Sequence, residues 1–281
     1  MQTFKLKSHA KINLSLNITG KFSNNKMHKV ESIVSFIKLS DTISISESKL
    51  KKHLVIFQGK FSKGINKNNS ITKVLYFLDK KKCLNDKKYK IKVIKNIPQK
   101  SGMGGGSMNS ATILNFFIKR KIISFKEAKY IAKKIDSDTI LGLNLKSKIL
   151  FSDNTFKELK NKIKFHIVLI KPFFGCSTKK IYLNNEIFSK REYFKNKNLR
   201  ISKKFLIKSK NDLEQSAFKL YPILGNLKKT LVNLNKGDFI RLTGSGSTIV
   251  IYFNSKVSAE KAVKIYKRTL NKNWCILSKI I

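Results

Sequence analysis

The sequence predicts an α+β fold in two parts, and three observations carry that prediction. An unbroken strand alternation runs over residues 10–18. A glycine cluster sits between a strand pattern at 89–97 and an apolar helical run at 111–118. From about residue 163 onward the elements follow the order β-α-β-β-α-β, that of a ferredoxin-like unit. With 281 residues and a hydrophobic content of 41%, the chain is long and apolar enough for one large or two modest domains with real cores. The expected division is 1–155 and 156–281.

Taken in order, residues 3–6 and 10–18 read as opening strands. In the second, Ile12, Leu14, Leu16 and Ile18 point one way, and Lys11, Asn13, Ser15 and Asn17 point the other. Lys11 and Asn13 are therefore neighbours on a polar face, whose ordinary fate is to be solvated. A polar loop follows, ending at His28, and further strands are expected at 30–39, 42–45 and 54–57. Helical spacing marks 70–78, and 89–97 alternates again. Helices are expected at 111–120 and 125–135, the second capped by Ser124, with a short strand near 147–151. Residues 157–164 read as a connection, 165–171 as a strand, 173–182 as a loop and short helix, and 185–208 as a charged, irregular excursion. A helical stretch over 211–234 carries Pro222 and Gly225 as breakers. Strands at 238–242 and 248–253 flank a glycine turn, and a helix at 258–270 precedes a final strand at 274–279.

Four of the thirteen glycines fall at Gly102, Gly104, Gly105 and Gly106. Without a Cβ the backbone turns sharply and approaches a ligand closely. The free N–H groups opening the next helix then face an anion, and a phosphate chain is the ligand this favours. Ser107 and Asn109 add polar side chains. No Gly-Lys-Ser/Thr ends the loop, so it is not a Walker A loop, and the glycine spacing does not fit a dinucleotide fingerprint.

The formal charge of +44 raises the question of a nucleic-acid or membrane-surface partner. Only five of the 60 basic residues are arginine (Arg120, Arg191, Arg200, Arg241, Arg268), and the lysines are scattered along every element. Dedicated phosphate readers use the arginine fork. The lysine, asparagine and isoleucine excess reads as the codon bias of an AT-rich genome, which leaves only weak, salt-sensitive polyanion binding. Cys83, Cys176 and Cys275 are far apart, with no CxxC and no zinc spacing, so neither a disulfide framework nor a resident metal site is expected. No stretch has the length and apolarity of a membrane span, and no signal-peptide core opens the chain. The expectation is a cytoplasmic location.

Several motifs, in order, resemble the GHMP kinases, and within them the diphosphocytidyl-methylerythritol kinases of the non-mevalonate isoprenoid pathway. A-K-I-N-L-S-L-N-I-T-G at 10–20 is similar to the family's P-A-K-I-N-L-x-L-x-V-x-G. His28 followed by Glu31-Ser32 resembles D-G-Y-H-x-L-x-S/T. Residues 98–111 resemble the ATP loop P-x-G-A/G-G-L-G-G-G-S-S-D/N-A-A, and 135–141 the segment L-G-A/S-D-V-P-F. Asn211-Asp212-Leu213-Glu214 matches N-D-L-E, and 242–247 resembles M-S-G-T/S-G-A/S.

The resemblance implies a two-lobed GHMP kinase fold, with a ribosomal-protein-S5-like N-terminal domain and a ferredoxin-like C-terminal one. It implies transfer of the γ-phosphate of ATP to the tertiary 2-hydroxyl of diphosphocytidyl-methylerythritol, with Mg2+ accompanying ATP. Asp138 takes the place of the catalytic aspartate and Lys11 that of the catalytic lysine. Gln99, Lys100, Ser101, Gly102, Met103, Gly104, Gly105, Gly106, Ser107, Met108 and Asn109 fall in the ATP loop. Asn13, His28, Tyr182, Thr243 and Gly244 fall at substrate positions, His28 on the cytosine edge and Tyr182 as a stacking ring. Lys26 and Met27 replace the family's Gly-Tyr, Lys100 and Ser101 replace small residues or glycine, Met108 replaces a serine, and Asp136 and Ile140 replace a glycine and a proline. The partner implied is a small molecule, with no specific nucleic acid and no membrane, the protein being a monomer or homodimer. Two alternatives stay open: another GHMP small-molecule kinase, such as one for homoserine or mevalonate, and a non-catalytic basic nucleic-acid-binding protein.

Overall fold

A computed structural model describes residues 2–22, 28–193, 201–234 and 236–281. Two long strands come first, β1 (Thr3–Lys21) and β2 (His28–Ser48). Each absorbs a pair of strands that the patterning separates. Ser8 and Asp41, near the expected breaks, are buried, and no proline or glycine interrupts either run before Gly20, so pairing continues through them. Then come β3 (Leu54–Gln58), α1 (Ser70–Lys80), β4 (Lys88–Ile94), α2 (Gly105–Lys119) and α3 (Phe125–Ile135). A 3-10 turn (Thr139–Leu143) leads to β5 (Lys148–Leu150), β6 (Phe156–Glu158) and β7 (His166–Lys171). The last part holds α4 (Thr178–Leu183), α5 (Lys203–Lys208), α6 (Leu213–Leu220), α7 (Pro222–Leu234), β8 (Phe239–Leu242), β9 (Ile249–Phe253), α8 (Lys256–Thr269) and β10 (Trp274–Lys279).

Three expectations are corrected. Part of the expected connection at 157–164 is strand β6, and part of the expected irregular stretch at 185–208 is helix α5. Helix α2 starts six residues before the apolar run that predicts it, inside the glycine cluster. The expected break near Pro222 is present: Tyr221 leaves helical geometry (φ −133°, ψ 76°) and the proline opens α7. A residue before proline is disfavoured in the α region, and proline is tolerated in a helix's first turn.

The chain packs as two units. One comprises Met1–Ala10, Leu39–Gln99 and Gly104–Leu145; the other comprises Lys11–Lys38, Lys100–Met103 and Lys146–Ile281. The units interleave in sequence, and residues 1–155 contribute to both.

In the first unit β3 runs parallel to β4, and β4 runs antiparallel to β2 from Thr42↔Ile94 to Ser48↔Lys88. Along β4, Tyr89, Ile91 and Val93 are buried while Lys90 and Lys92 are exposed. Helices α1, α2 and α3 cover the buried face with Val74 and Leu78, Ile113 and Phe117, and Ala128 and Ile131. Asn69 with Thr72 and Ser124 with Glu127 form capping boxes that satisfy the first N–H groups of α1 and α3.

In the second unit the antiparallel order is β10-β7-β9-β8, the order of a ferredoxin-like sheet. All five residues of β9 are buried, and α6, α7 and α8 pack on this sheet through Ala217, Leu224, Leu231, Ala259 and Tyr266. Among the described residues no helix is long and apolar enough to cross a membrane.

Strand β5 buries Lys148, paired with Val34 of β2. Its Nζ donates to the Lys146 carbonyl at 2.9 Å and lies 5.0 Å from the centre of the Phe36 ring. Burial pushes this ammonium down to about 8, the Glu158 charge opposing the shift only in part. The unfolded chain keeps the proton to about pH 10.4. Between these values the unfolded state binds more protons, so the cost of the buried charge is fully present below pH 8 and is relieved as pH rises toward 10. Lys148→Met removes that cost. The stability advantage of the variant over the parent, measured by urea unfolding, is expected to shrink by on the order of 3 kcal/mol between pH 7 and pH 10.

Candidate active site

The glycine segment is shared between the units, with Lys100–Met103 in the second and residues from Gly104 onward in the first. Gly104 caps α2 in the left-handed conformation (φ 64°), so its side-chain-free backbone swings the chain into the helix. Gly105 and Gly106 form the first turn. A Cβ on Gly105 would meet Ile97 Cγ2 at 3.1 Å and Lys95 Nζ at 3.2 Å, so any larger residue here would have to push these side chains back. Gly106 is exposed and its carbonyl accepts from Ser70 Oγ. The result is a helix N-terminus with accessible backbone and a buried ammonium close beneath it, the arrangement that favours an anion.

That ammonium belongs to a buried cluster. Asp41, fully buried, accepts from the N–H groups of Asn96 and Ile97 through Oδ1, both at 2.8 Å. Its Oδ2 accepts from Lys95 Nζ and, at 3.0 Å, from Asn109 Nδ2. One carboxylate thus ties the end of β4, the start of the loop and the first turns of α2. Asn109 faces this cluster with its amide, and Met103 and Met108 are buried. Gln99 donates its side-chain amide to the Phe61 and Lys63 carbonyls, at 2.8 and 2.9 Å, bracing the preceding loop. Within the ATP-loop set, the side chain of Lys100 is exposed and Gly104 to Ser107 carry the accessible helix start. Asp138 is half-buried at the start of the 3-10 turn. Asp136 Oδ2 accepts from Ser107 Oγ at 2.9 Å, and its Oδ1 takes the Asp138 N–H at 3.0 Å and the Thr139 N–H at 2.8 Å. Among the described residues no group of three or more His, Cys, Asp or Glu side chains is placed to hold a metal ion.

In the second unit the expected polar face of β1 is buried rather than solvated: Lys11, Asn13, Ser15 and Asn17 all lie inside. Lys11 Nζ donates to Asn13 Oδ1 at 2.8 Å, Asn13 Nδ2 to Ser32 Oγ at 2.8 Å, and Ser32 Oγ to the Ser15 carbonyl at 2.6 Å. Tyr193 donates its hydroxyl to Ser15 Oγ at 2.7 Å, while Glu31 accepts the Glu192 and Tyr193 N–H groups at 2.9 Å each. The chain of donors fixes the Asn13 amide so that its oxygen faces the lysine. Thr243 Oγ1 accepts the Asn13 N–H at 3.0 Å and is buried. Gly102 (φ 75°) lies under this turn, and a Cβ there would sit 2.0 Å from the Thr243 carbonyl. Gly244 (φ 53°) gives its carbonyl to Asn211 Nδ2 at 2.8 Å. Ser101 is buried, its carbonyl accepting the Thr248 N–H at 3.2 Å. The N-D-L-E segment works as a structural tie: Asp212 accepts the Ile18 N–H and the Ser189 hydroxyl, and Glu214 accepts the Leu242 N–H.

The rings of His28 and Tyr182 are 5.3 Å apart, and Phe188 lies nearly parallel to His28 at 6.5 Å. Burial and the Lys21 charge push the imidazole below its ordinary value, favouring the neutral ring. Its Nε2 is buried with no hydrogen-bond partner among the described residues. This is a polar edge among aromatic rings, suited to a planar heterocycle. Phe188 was hidden in a stretch without periodicity. Lys26 and Met27 lie outside the described residues.

Residues 69–138 match the GHMP kinases N terminal domain. Over its full length the chain is 52% identical to the 4-diphosphocytidyl-2-C-methyl-D-erythritol kinase of Pelagibacter ubique, with both proteins covered completely. The chain belongs to this family of GHMP kinases. A second member, from Fusobacterium nucleatum, is 30% identical over 93% of the chain and 91% of its own length. Among solved structures, a 4-(cytidine 5'-diphospho)-2C-methyl-D-erythritol kinase shares the fold with a TM-score of 0.78 at 18% identity, covering 99% of both chains. The homoserine kinase of Cytophaga hutchinsonii follows at 0.68 and 14%, covering 100% of this chain and 98% of its own.

GHMP kinase membership gives the glycine-rich helix start its physical sense, because the family uses ATP. The fit is local and chemical: a tight cradle at Gly105, backbone donors at a helix N-terminus and the Lys95 ammonium beneath them. In this family member the cation is neutralised by Asp41, so removing it leaves a buried, partly compensated carboxylate. Lys95→Met is expected to lower the unfolding free energy by about 3–5 kcal/mol, read by urea titration.

Proposed function

We propose that this chain phosphorylates the 2-hydroxyl of 4-diphosphocytidyl-2-C-methyl-D-erythritol, using ATP, in the cytoplasm. The observation that carries the reading is full-length 52% identity to a kinase of that name, supported by the neutral histidine edge among rings in the second unit. The ATP-binding domain of the proposal is 1–155 and the ferredoxin-like domain 156–281.

Phosphoryl transfer is mostly positioning and charge stabilisation. Backbone donors of Gly104, Gly105 and Gly106, with that of Ser107, hold the phosphates, and Lys100 adds its charge to the loop. Ser101, Gly102 and Met103 shape that loop, and Met108, Asn109 and Gln99 keep it in place from beneath. ATP would supply the phosphoryl group, and Mg2+, when bound with it, would neutralise charge on the phosphate oxygens. Magnesium ordinarily needs only one or two protein oxygens beside phosphates and water, and the Ser107 hydroxyl oxygen, its hydrogen committed to Asp136, could supply one. Asp138 takes the hydroxyl proton, and Lys11, its ammonium aimed by Asn13, stabilises the alkoxide. His28 reads the cytosine edge, with Tyr182 and Phe188 packing on the base. Thr243 and Gly244 hold Asn13 and Gly102 in register.

The test is ADP release with Mg-ATP, comparing diphosphocytidyl-methylerythritol with homoserine and mevalonate. Turnover is expected with the cytidine alcohol alone. Asp138→Ala is expected to lower kcat by about 10²–10⁴-fold with little change in KM. Turnover with homoserine or mevalonate and none with the cytidine alcohol would replace this reading with another GHMP kinase. Phe188→Ala is expected to raise KM for the cytidine alcohol by roughly 5–30-fold, a stacking contact of about 1–2 kcal/mol, while KM for ATP holds.

A further inference from the structure

Asp136 stands where the family motif has glycine, and in this chain its carboxylate is fully engaged. It closes the C-terminus of α3 in extended geometry (φ −168°, ψ 174°). Oδ1 accepts three hydrogen bonds from the next turn: the Asp138 N–H at 3.0 Å, the Thr139 N–H at 2.8 Å and the Thr139 hydroxyl at 2.9 Å. Oδ2 accepts the hydroxyl of Ser107, in the first turn of α2, at 2.9 Å. A single side chain therefore joins the end of α3, the turn that carries Asp138 and the N-terminus that carries the glycine cradle. A glycine can do none of this, and an alanine would leave two backbone donors of the turn to find other partners.

We propose that Asp136 is a positioning residue for phosphoryl transfer, clamping Asp138 against the phosphate-binding helix start through Ser107. The inference rests on the kinase reading above. Asp136 touches neither phosphate nor alcohol; it sets the spacing between the proton acceptor and the phosphate cradle. Spacing of that kind governs the chemical step more than binding, because a misplacement of about 1 Å costs up to roughly 100-fold in rate. The clamp also commits the Ser107 hydroxyl hydrogen to Asp136, which leaves the oxygen lone pairs of Ser107, rather than its proton, toward a ligand.

The test uses the full chain with Asp136→Ala, Asp136→Asn and Ser107→Ala, measuring ADP release with Mg-ATP and diphosphocytidyl-methylerythritol, and amide hydrogen exchange at Asp138 and Thr139. Asp136→Ala is expected to lower kcat by about 10–100-fold with KM for both substrates within about threefold, and to speed exchange at those two amides by at least about tenfold. Asp136→Asn keeps an oxygen for the turn and is expected to retain slow exchange and at least roughly a fifth of kcat. Ser107→Ala cuts the arm to α2 and leaves the bonds from Asp136 to the turn in place, so exchange at Asp138 and Thr139 is expected to stay slow; quickened exchange in this variant overturns the division of the clamp into two arms. Unchanged kcat in Asp136→Ala overturns the proposal, as does a fall in KM affinity that accounts for the whole loss. If Asp136→Ala does not fold, Asp136→Asn decides: fast exchange together with wild-type kcat overturns the clamp. A wild-type chain that releases no ADP with this alcohol overturns the kinase reading instead. Exchange that quickens only in Asp136→Ala then still upholds the clamp as a physical link.

Discussion

A glycine-rich loop has no side chains with which to hold its own shape, so its geometry depends on what anchors its ends. In this protein the anchor is Asp41. Its buried carboxylate collects the Asn96 and Ile97 N–H groups, the Lys95 ammonium and the Asn109 amide. Four donors on one carboxylate satisfy both of its oxygens in the interior, where an unpaired polar group is costly. The same interactions stop β4, aim the chain through Pro98 and seat α2. The Lys95 ammonium that lies beneath Gly105 is the one bonded to Asp41. The anion-favouring helix start is thus a consequence of a buried ion pair on the strand β2.

The second unit solves a related problem with neutral groups. A strand that is buried on both faces must satisfy every polar side chain it carries. Strand β1 does so over residues 11–15 by linking Lys11, Asn13 and Ser15 with Ser32 and Tyr193 into one run of donors and acceptors. Each amide and hydroxyl has its orientation set by the next, so the lysine at the end is held by a network rather than by its own flexible stem. Much that looks catalytic in the sequence is therefore structural support. Asn13 aims Lys11, Thr243 secures Asn13, and the N-D-L-E segment stitches β1 to β8.

The ferredoxin-like order, the capped helix α3, the final strand at 274–279 and the position of the phosphate loop were legible because local rules decide them: strand period, capping chemistry and glycine. The start of α2 at Gly105 was not, since glycine is the weakest ordinary helix former and only packing against β4 and its buried ion pair makes a helix there. Phe188 had no periodicity to mark it. Asp136 read as a drifted glycine because its three partner residues include Ser107, 29 residues earlier in the chain.

The sequence by itself determined the family and most of the elements, since these follow from periodicity and from motifs a few residues long. Only the tertiary structure decided which polar groups are buried and which partners they take. Hydrogen bonds such as Asn13 to Thr243, 230 positions apart, depend on how the chain returns on itself. The identities of Lys11 and Asp138 were written in the chain; the groups that orient them, Asn13, Ser32 and Asp136, acquire that role only when folding removes water and leaves each polar atom the neighbours that packing supplies.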